Sequence, residues 1–367
     1  MKKSMNTQQI EALVERWVRP EIKELSAYHV PDASGLIKLD AMENPYTWPQ
    51  ELRSEWLELL RTVDVNRYPD PQASAVTAAL ERSMGVPAGA RLLLGNGSDE
   101  LIQMLAMTLG GPGRTILSVD PGFVMYSVIA KFVGMEYVGV PLRSADFCLD
   151  TPALLQAMDQ HQPALVFLAY PNNPSGNLFS EQELLQIIQA APGVVVIDEA
   201  YAPFTDASFM SRIGDYPNLL VMRTVSKMGL AGLRLGLLVG ASEWIEQIDK
   251  TRLPYNINVL TQASAEFALG HQEMFDSQTG EIRKQRAILF NALMAIDGIK
   301  PFPSDANFIL VRMPKGRAQE IHGALREQGV LVKCLDGAHS SLSDCLRITV
   351  GTPEENSSFL QALTKVL

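Results

Sequence analysis

Short apolar runs recur through the middle of the chain and leave few folds open to it. Residues 115–119, 136–140, 165–169, 194–198, 219–222 and 235–239 each have a strand's length, and segments with helical spacing separate them, one of which opens with a capping box from Ser180 to Glu183. Most of these runs are continuously apolar rather than alternating, the pattern of strands buried on both faces. The expectation is an α/β fold with a mostly parallel central sheet and flanking helices. Ligands of such sheets sit beyond the carboxyl ends of the strands.

The texture differs at the two ends. Beyond about residue 250, helices over 260–269 and 281–295 precede strands at 307–311, 331–333 and 346–350. A last helix follows Thr352-Pro353, with a capping box to Glu355. That order predicts a smaller α+β domain. At the start, Ile10, Leu13, Val14 and Trp17 predict an amphipathic helix over 7–18 that Pro20 stops. The turn-rich stretch 25–46 holds one short strand, 36–39, and too few apolar residues to fold by itself. We therefore expect an N-terminal arm, 1–45, packed with a small C-terminal domain, 256–367, and a large domain, 46–255, between them.

The chain has 367 residues, of which 47% are hydrophobic and 20% charged, a folded composition. Its formal net charge of −10 argues against a nucleic-acid or anionic-membrane surface, so an anionic ligand needs a local basic pocket. No apolar run approaches a membrane span, and the lysines of residues 1–7 lead into no signal-like apolar segment. A cytoplasmic location is expected. Cys148, Cys334 and Cys345 form no even disulfide framework, and Cys334, His339 and Cys345 fit no compact zinc spacing. No metal is expected.

Two stretches offer to hold a phosphate. One is GNGSDE, 95–100, between a short strand at 91–94 and a helix beginning near Asp99. Gly97 frees the turn, Ser98 is a natural N-cap, and the free N–H groups of the helix face an anion. The other is TVSKMGLAGLRLG, 224–236, with two hydroxyls, one lysine, one arginine and several glycines. Lys227 there is either a point charge on a phosphate or an amine that can join a carbonyl.

These residues, and others at successive strand ends, meet the needs of one kind of cofactor, a pyridine aldehyde phosphate. Ser98, Asp99, Thr224, Ser226 and Arg234 can hold the phosphate, and Lys227 can meet the aldehyde. Asp198, closing the apolar run VVVID, can keep the ring nitrogen protonated. Asn173 and Tyr201 can donate to the ring oxygen, and Phe123 can cover the ring face. Singly, each has a plainer reading as a turn, cap or core residue. In this order at successive strand ends, the joint reading is favoured.

PNNPSG, VVVIDEAY and TVSKMGLAGLRLG resemble the signature of the fold-type I pyridoxal-phosphate enzymes. Within these, LDAMENPY, NRYPDPQ and CLRITVGT resemble the histidinol-phosphate aminotransferase family, from about residue 28 to the final helix. The resemblance implies pyridoxal 5'-phosphate as cofactor, with Lys227 as the Schiff-base lysine and Asp198 and Tyr201 beside it in catalysis. It implies a homodimer in which Tyr68 reaches the phosphate of the neighbouring subunit's cofactor. It also implies Arg347 on the substrate's acidic group, Asn173 in the substrate site, and Tyr28 closing the pocket. The implied reaction is a ping-pong transamination between a phosphorylated amine, histidinol phosphate, and a 2-oxo acid, 2-oxoglutarate, in histidine biosynthesis.

Three departures accompany the resemblance. Phe123 stands where the family often has tyrosine. The gap from Lys227 to Arg234 is one residue shorter than in many members, which demands a tighter loop. Lys333 stands near a position that is arginine in some relatives, giving a charge without a bidentate fork. Two rivals remain at this point: a threonine-phosphate decarboxylase or another amino-acid aminotransferase on the same scaffold, and a non-enzymatic domain of this shape. Filled catalytic positions weigh against the second.

Overall fold

The computed structural model describes residues 7–27 and 30–367. Two sheets organise them. The smaller has five strands: β1 (Ile37–Leu39), then, from the other end of the chain, β9 (Lys300–Pro301), β10 (Phe308–Arg312), β11 (Val330–Cys334) and β12 (Cys345–Thr349). The larger has seven: β2 (Ala90–Gly95), β3 (Thr115–Asp120), β4 (Glu136–Pro141), β5 (Leu165–Ala169), β6 (Val194–Asp198), β7 (Leu219–Thr224) and β8 (Gly236–Ala241). Their orders are β1-β11-β12-β10-β9 and β2-β8-β7-β6-β5-β3-β4.

In the large sheet β3, β4, β5, β6 and β7 pair in parallel, and only β8 runs against its neighbours β7 and β2. Residues 225–235 turn the chain back from β7 to its antiparallel neighbour β8, whereas the parallel strands are joined through crossovers. Every residue of β5 and β6 is buried, so their apolar runs are unbroken. The parallel order brings the carboxyl ends of β3, β5, β6 and β7 to one edge. Phe123, Asn173, Asp198 and Thr224 follow or close those strands. In the small sheet, β1 pairs with β11 in parallel, with Ile37 opposite Val330, which ties the N-terminal segment to the C-terminal part of the chain.

Three local expectations are corrected. Ser98 is not the N-cap. Gly97 takes that place at φ 89°, and the helix begins at Ser98. Glu100 Oε2 reaches back to accept the Asn96 N–H at 2.5 Å, fastening the loop that a serine cap was expected to close. Ser180 does cap the Glu181–Ala190 helix by position, but makes no side-chain capping bond. The Glu183 carboxylate that would complete the box accepts instead from Thr151 Oγ1 at 2.9 Å. The helix expected over 281–295 runs Gln272–Met294, continuing through Gly280. A mid-helix glycine costs about 1 kcal/mol relative to alanine. Burial of Phe275 and Thr279 in the preceding turn offsets it, since tertiary packing rather than propensity supplies most helix stability. The Thr352 capping box with Glu355 forms as expected.

The Thr7–Trp17 helix buries none of its residues, and Ile10, Leu13, Val14 and Trp17 are all exposed. Among the described residues no helix is long and apolar enough to cross a membrane.

Candidate active site

One cavity opens at the carboxyl edge of the large sheet. Its walls include Ser98, Asp99, Thr224, Ser226 and Arg234, the residues expected to hold a phosphate. Phe123, Asn173, Asp198, Tyr201 and Lys227 line the same cavity.

The end of the cavity expected to hold a phosphate is built by close backbone approach. A Cβ on Gly97 would come within 2.7 Å of Arg234 Nη2, and a Cβ on Gly236 within 2.7 Å of the Ser98 nitrogen. Glycine at both positions lets the 95–98 loop and the start of β8 lie against each other. Thr224 Oγ1 accepts the Ser226 N–H at 3.1 Å and stands 2.9 Å from Ser226 Oγ, so the two hydroxyls are adjacent. Arg234 Nη2 lies 3.4 Å from Asp99 Oδ2, with both side chains half exposed. Lys227 and Arg234 are connected through a π-helical turn over Ser226–Leu230, with Gly229 at φ 133°, and a 3-10 turn over Ala231–Leu233 that ends on a left-handed Arg234 at φ 49°.

Lys227 and Asp198 are charged groups removed from water. Burial lowers the Lys227 ammonium to about 8, and the positive charge of Arg347 adds to the effect. Lys227 Nζ donates to the Ala41 carbonyl at 3.2 Å. Burial pushes the Asp198 carboxyl up to about 6, against the opposing hydrogen bonds from Tyr126 and the Ala200 N–H. Those bonds measure 2.6 Å to Oδ2 and 3.1 Å to Oδ1, and both donors are neutral.

Asn173 and Tyr201 form a pair. Asn173 Nδ2 donates to the Tyr201 hydroxyl at 3.0 Å, and Tyr201 stacks edge-on against Phe308 with ring centroids 5.2 Å apart. Burial raises the Tyr201 phenol above its ordinary value, so it keeps its proton. Arg347, on β12, is buried and donates from Nη1 to Asn173 Oδ1 at 2.6 Å and from Nη2 to the Asp40 carbonyl at 3.1 Å. Lys333 faces Arg347 directly across the β11–β12 ladder.

A family model, aminotransferase class I and II, matches residues 34–363. A histidinol-phosphate aminotransferase 2 of Nitrosococcus oceani is 56% identical over 95% of this chain and 97% of its own. Another, of Cupriavidus pinatubonensis, is 52% identical over 97% of this chain and 98% of its own. The chain belongs to the histidinol-phosphate aminotransferase family. The fold of a Sinorhizobium meliloti histidinol-phosphate aminotransferase, solved in complex with pyridoxal-5'-phosphate, matches at a TM-score of 0.84. That comparison covers 95% of this chain and 97% of that one at 24% identity.

Two further residues were implied by the resemblance for the site of this aminotransferase. Tyr68 is 80% exposed and stacks on Tyr255 with ring centroids 4.4 Å apart, away from the cavity of its own chain. Tyr28 lies outside the described residues. The structure also brings in groups that sequence reasoning missed. Tyr126 lies on the Met125–Val133 helix, in a pattern that reads as core. The arm contributes backbone rather than side chains: the carbonyls of Asp40 and Ala41 accept from Arg347 and Lys227. Met42, at φ 54°, sets its sulfur 3.5 Å from the Tyr201 hydroxyl. No residue-type signal marks a carbonyl acceptor; the LDAMENPY resemblance pointed only to the segment.

Proposed function

We propose that this aminotransferase uses pyridoxal 5'-phosphate to exchange an amino group between histidinol phosphate and 2-oxoglutarate. One observation carries the reading: a buried carboxylate, a lysine with a depressed pKa and an arginine-linked asparagine surround a single cavity. The cofactor fits the donor set. Asp198 is compensated by neutral donors alone, so its burial is best relieved by a cationic N–H from a bound ring. Gly97, whose Cβ would strike Arg234, keeps a backbone-walled cradle open beside the first turn of the Ser98–Leu109 helix.

Pyridoxal phosphate, when bound, supplies an aldehyde and a ring that withdraws electrons. Ser98, Asp99 N–H, Thr224, Ser226 and Arg234 would hold its phosphate. Asp198 would hold the proton on its ring nitrogen, Asn173 and Tyr201 would donate to its ring oxygen, and Phe123 would cover its face. Lys227 Nζ, with a pKa lowered to about 8, yields its neutral amine as pH rises through that value and in that form takes the proton from the substrate Cα. Arg347 orients the acidic group of either substrate by its planar fork. Lys333, opposite Arg347 in the ladder, adds a point charge suited to a substrate phosphate.

The working unit on this reading is a cytoplasmic homodimer. Tyr68 stands exposed and braced by Tyr255, ready to reach a neighbouring subunit's cofactor phosphate. Trp17, Val65 and Leu253, each at least 70% exposed, are apolar surface that a second copy would cover.

Steady-state assays over a panel of phosphorylated and unphosphorylated amines test the reading. Histidinol phosphate should give the highest kcat/KM, with glutamate formed from 2-oxoglutarate. Release of carbon dioxide from threonine phosphate at a comparable rate would replace it with the decarboxylase reading.

A further inference from the structure

Tyr126 is fully buried, and its surroundings leave its hydroxyl one place to go. The ring stacks on Phe167 of β5 with centroids 4.6 Å apart and planes 5° apart. It meets Phe123 edge-on at 5.4 Å and 85°. Clamped between them, the ring carries its hydroxyl to 2.6 Å from Asp198 Oδ2, across 72 residues of chain. Asp198 Oδ1 accepts the Ala200 N–H at 3.1 Å. Each carboxylate oxygen thus has its own protein donor, and the carboxylate plane is set from both sides.

We propose that Tyr126 is a positioning residue for the reaction: its hydroxyl orients the Asp198 carboxylate toward the cofactor ring and holds it in the ionised form. This rests on the reading of Asp198 as the ring-nitrogen partner. A buried carboxyl drifts toward its neutral form unless donors stabilise the anion, and a neutral Asp198 could not keep a ring nitrogen protonated. The negative charges of Asp99 and Glu199 both push its proton affinity upward. The Tyr126 hydrogen bond and the Ala200 N–H oppose them. Burial, and then the charge of Asp198 itself, raise the Tyr126 phenol well above its ordinary value, so it remains a donor across the working range. A charge-assisted bond of this length is among the stronger kinds.

The alternative role for Tyr126 is core packing, and Tyr126→Phe separates the two because it keeps both ring contacts. In the apoprotein, the Asp198 carboxyl can be followed by carbon-13 labelling of aspartate, its signal identified by difference from Asp198→Asn. Tyr126→Phe should raise its titration midpoint by about one pH unit while the apoprotein's melting temperature stays within a few degrees of wild type. In the protein loaded with pyridoxal phosphate, the pH midpoint of the visible absorption band should shift. The kcat should fall about tenfold, the equivalent of one unit, with the amine KM nearly unchanged. Should Tyr126→Phe not fold, 3-fluorotyrosine at position 126, a stronger donor on the same ring, should move the Asp198 midpoint downward, a reversal that packing cannot produce.

Equal Asp198 midpoints in wild type and variant, with an unchanged visible titration, overturn the proposal while leaving the cofactor reading standing. A wild-type protein that develops no visible band with pyridoxal phosphate overturns the cofactor reading itself, and this role with it.

Discussion

Arg347 and Asn173 lie 174 residues apart and share a 2.6 Å hydrogen bond, from Nη1 to Oδ1. The arginine can only donate, which fixes the Asn173 amide with its nitrogen toward the Tyr201 hydroxyl, 3.0 Å away. One amide therefore links the proposed acid-binding arginine to the proposed ring-oxygen donors. Asn173→Ala should weaken both functions together. We expect kcat/KM to fall about 10–100-fold in each half-reaction, the scale of a lost hydrogen bond to a charged group. Single-turnover kinetics with each substrate measures this; a loss confined to one half-reaction would uncouple the two sites.

Arg347→Ala removes the fork itself. Both half-reactions should lose about 2–5 kcal/mol of transition-state stabilisation, the range for truncating one partner of a buried charged contact. Lys333→Ala, which removes an ammonium and no fork, should mainly raise the KM for the phosphorylated amine. If Arg347→Ala leaves both rates and both affinities intact, the acidic-group site lies elsewhere.

Lys227 should set the alkaline-side behaviour. Its proton affinity is lowered to about 8, so the free amine that accepts the Cα proton accumulates as pH rises through that value. The single-turnover rate with saturating amine should rise to a plateau with a midpoint near pH 8. Lys227→Ala should abolish the visible band of the bound cofactor and reduce turnover by at least about 100-fold. A rising limb near pH 10, or none, would argue against Lys227 as the base.

Asp198 carries a stability cost that pH reveals. Its folded pKa, about 6, stands above the ordinary carboxyl value of 3.8, so the native state binds more protons than the unfolded state between those values. The stability it contributes is fully present below about pH 4 and is lost as pH rises through about 6. Asp198→Asn cannot titrate and still offers an oxygen to Tyr126. The apo variant should therefore melt higher than apo wild type at pH 7, with the gap closing toward pH 4, while activity is largely lost. Thermal melts across that range decide the matter.

The exposed Tyr68 ring predicts shared sites. Mixing inactive Lys227→Ala with an inactive Tyr68→Phe variant should restore part of the activity through heterodimers in which one site has both residues intact. No rescue after confirmed subunit exchange would confine Tyr68 to its own chain.

What was legible in the sequence was local. The segment 224–236 brings two hydroxyls, a lysine and an arginine together in one connection between strands, and its glycines show that backbone must approach something closely. The carboxyl ends of the apolar runs marked Asp198, Asn173 and Phe123 because a parallel sheet collects strand ends along one edge. The rest depended on chain segments meeting across long separations. Tyr126 reads as one apolar-face residue among several until its helix docks and carries the hydroxyl to Asp198. Ala41 becomes a partner of Lys227, 186 residues away, through a carbonyl that every residue possesses. The lowered pKa of Lys227 and the raised pKa of Asp198 come chiefly from burial, a property that exists only once both segments have folded into one cavity. Residue type declares which chemistry is possible; exclusion of water and long-range pairing decide which groups perform it.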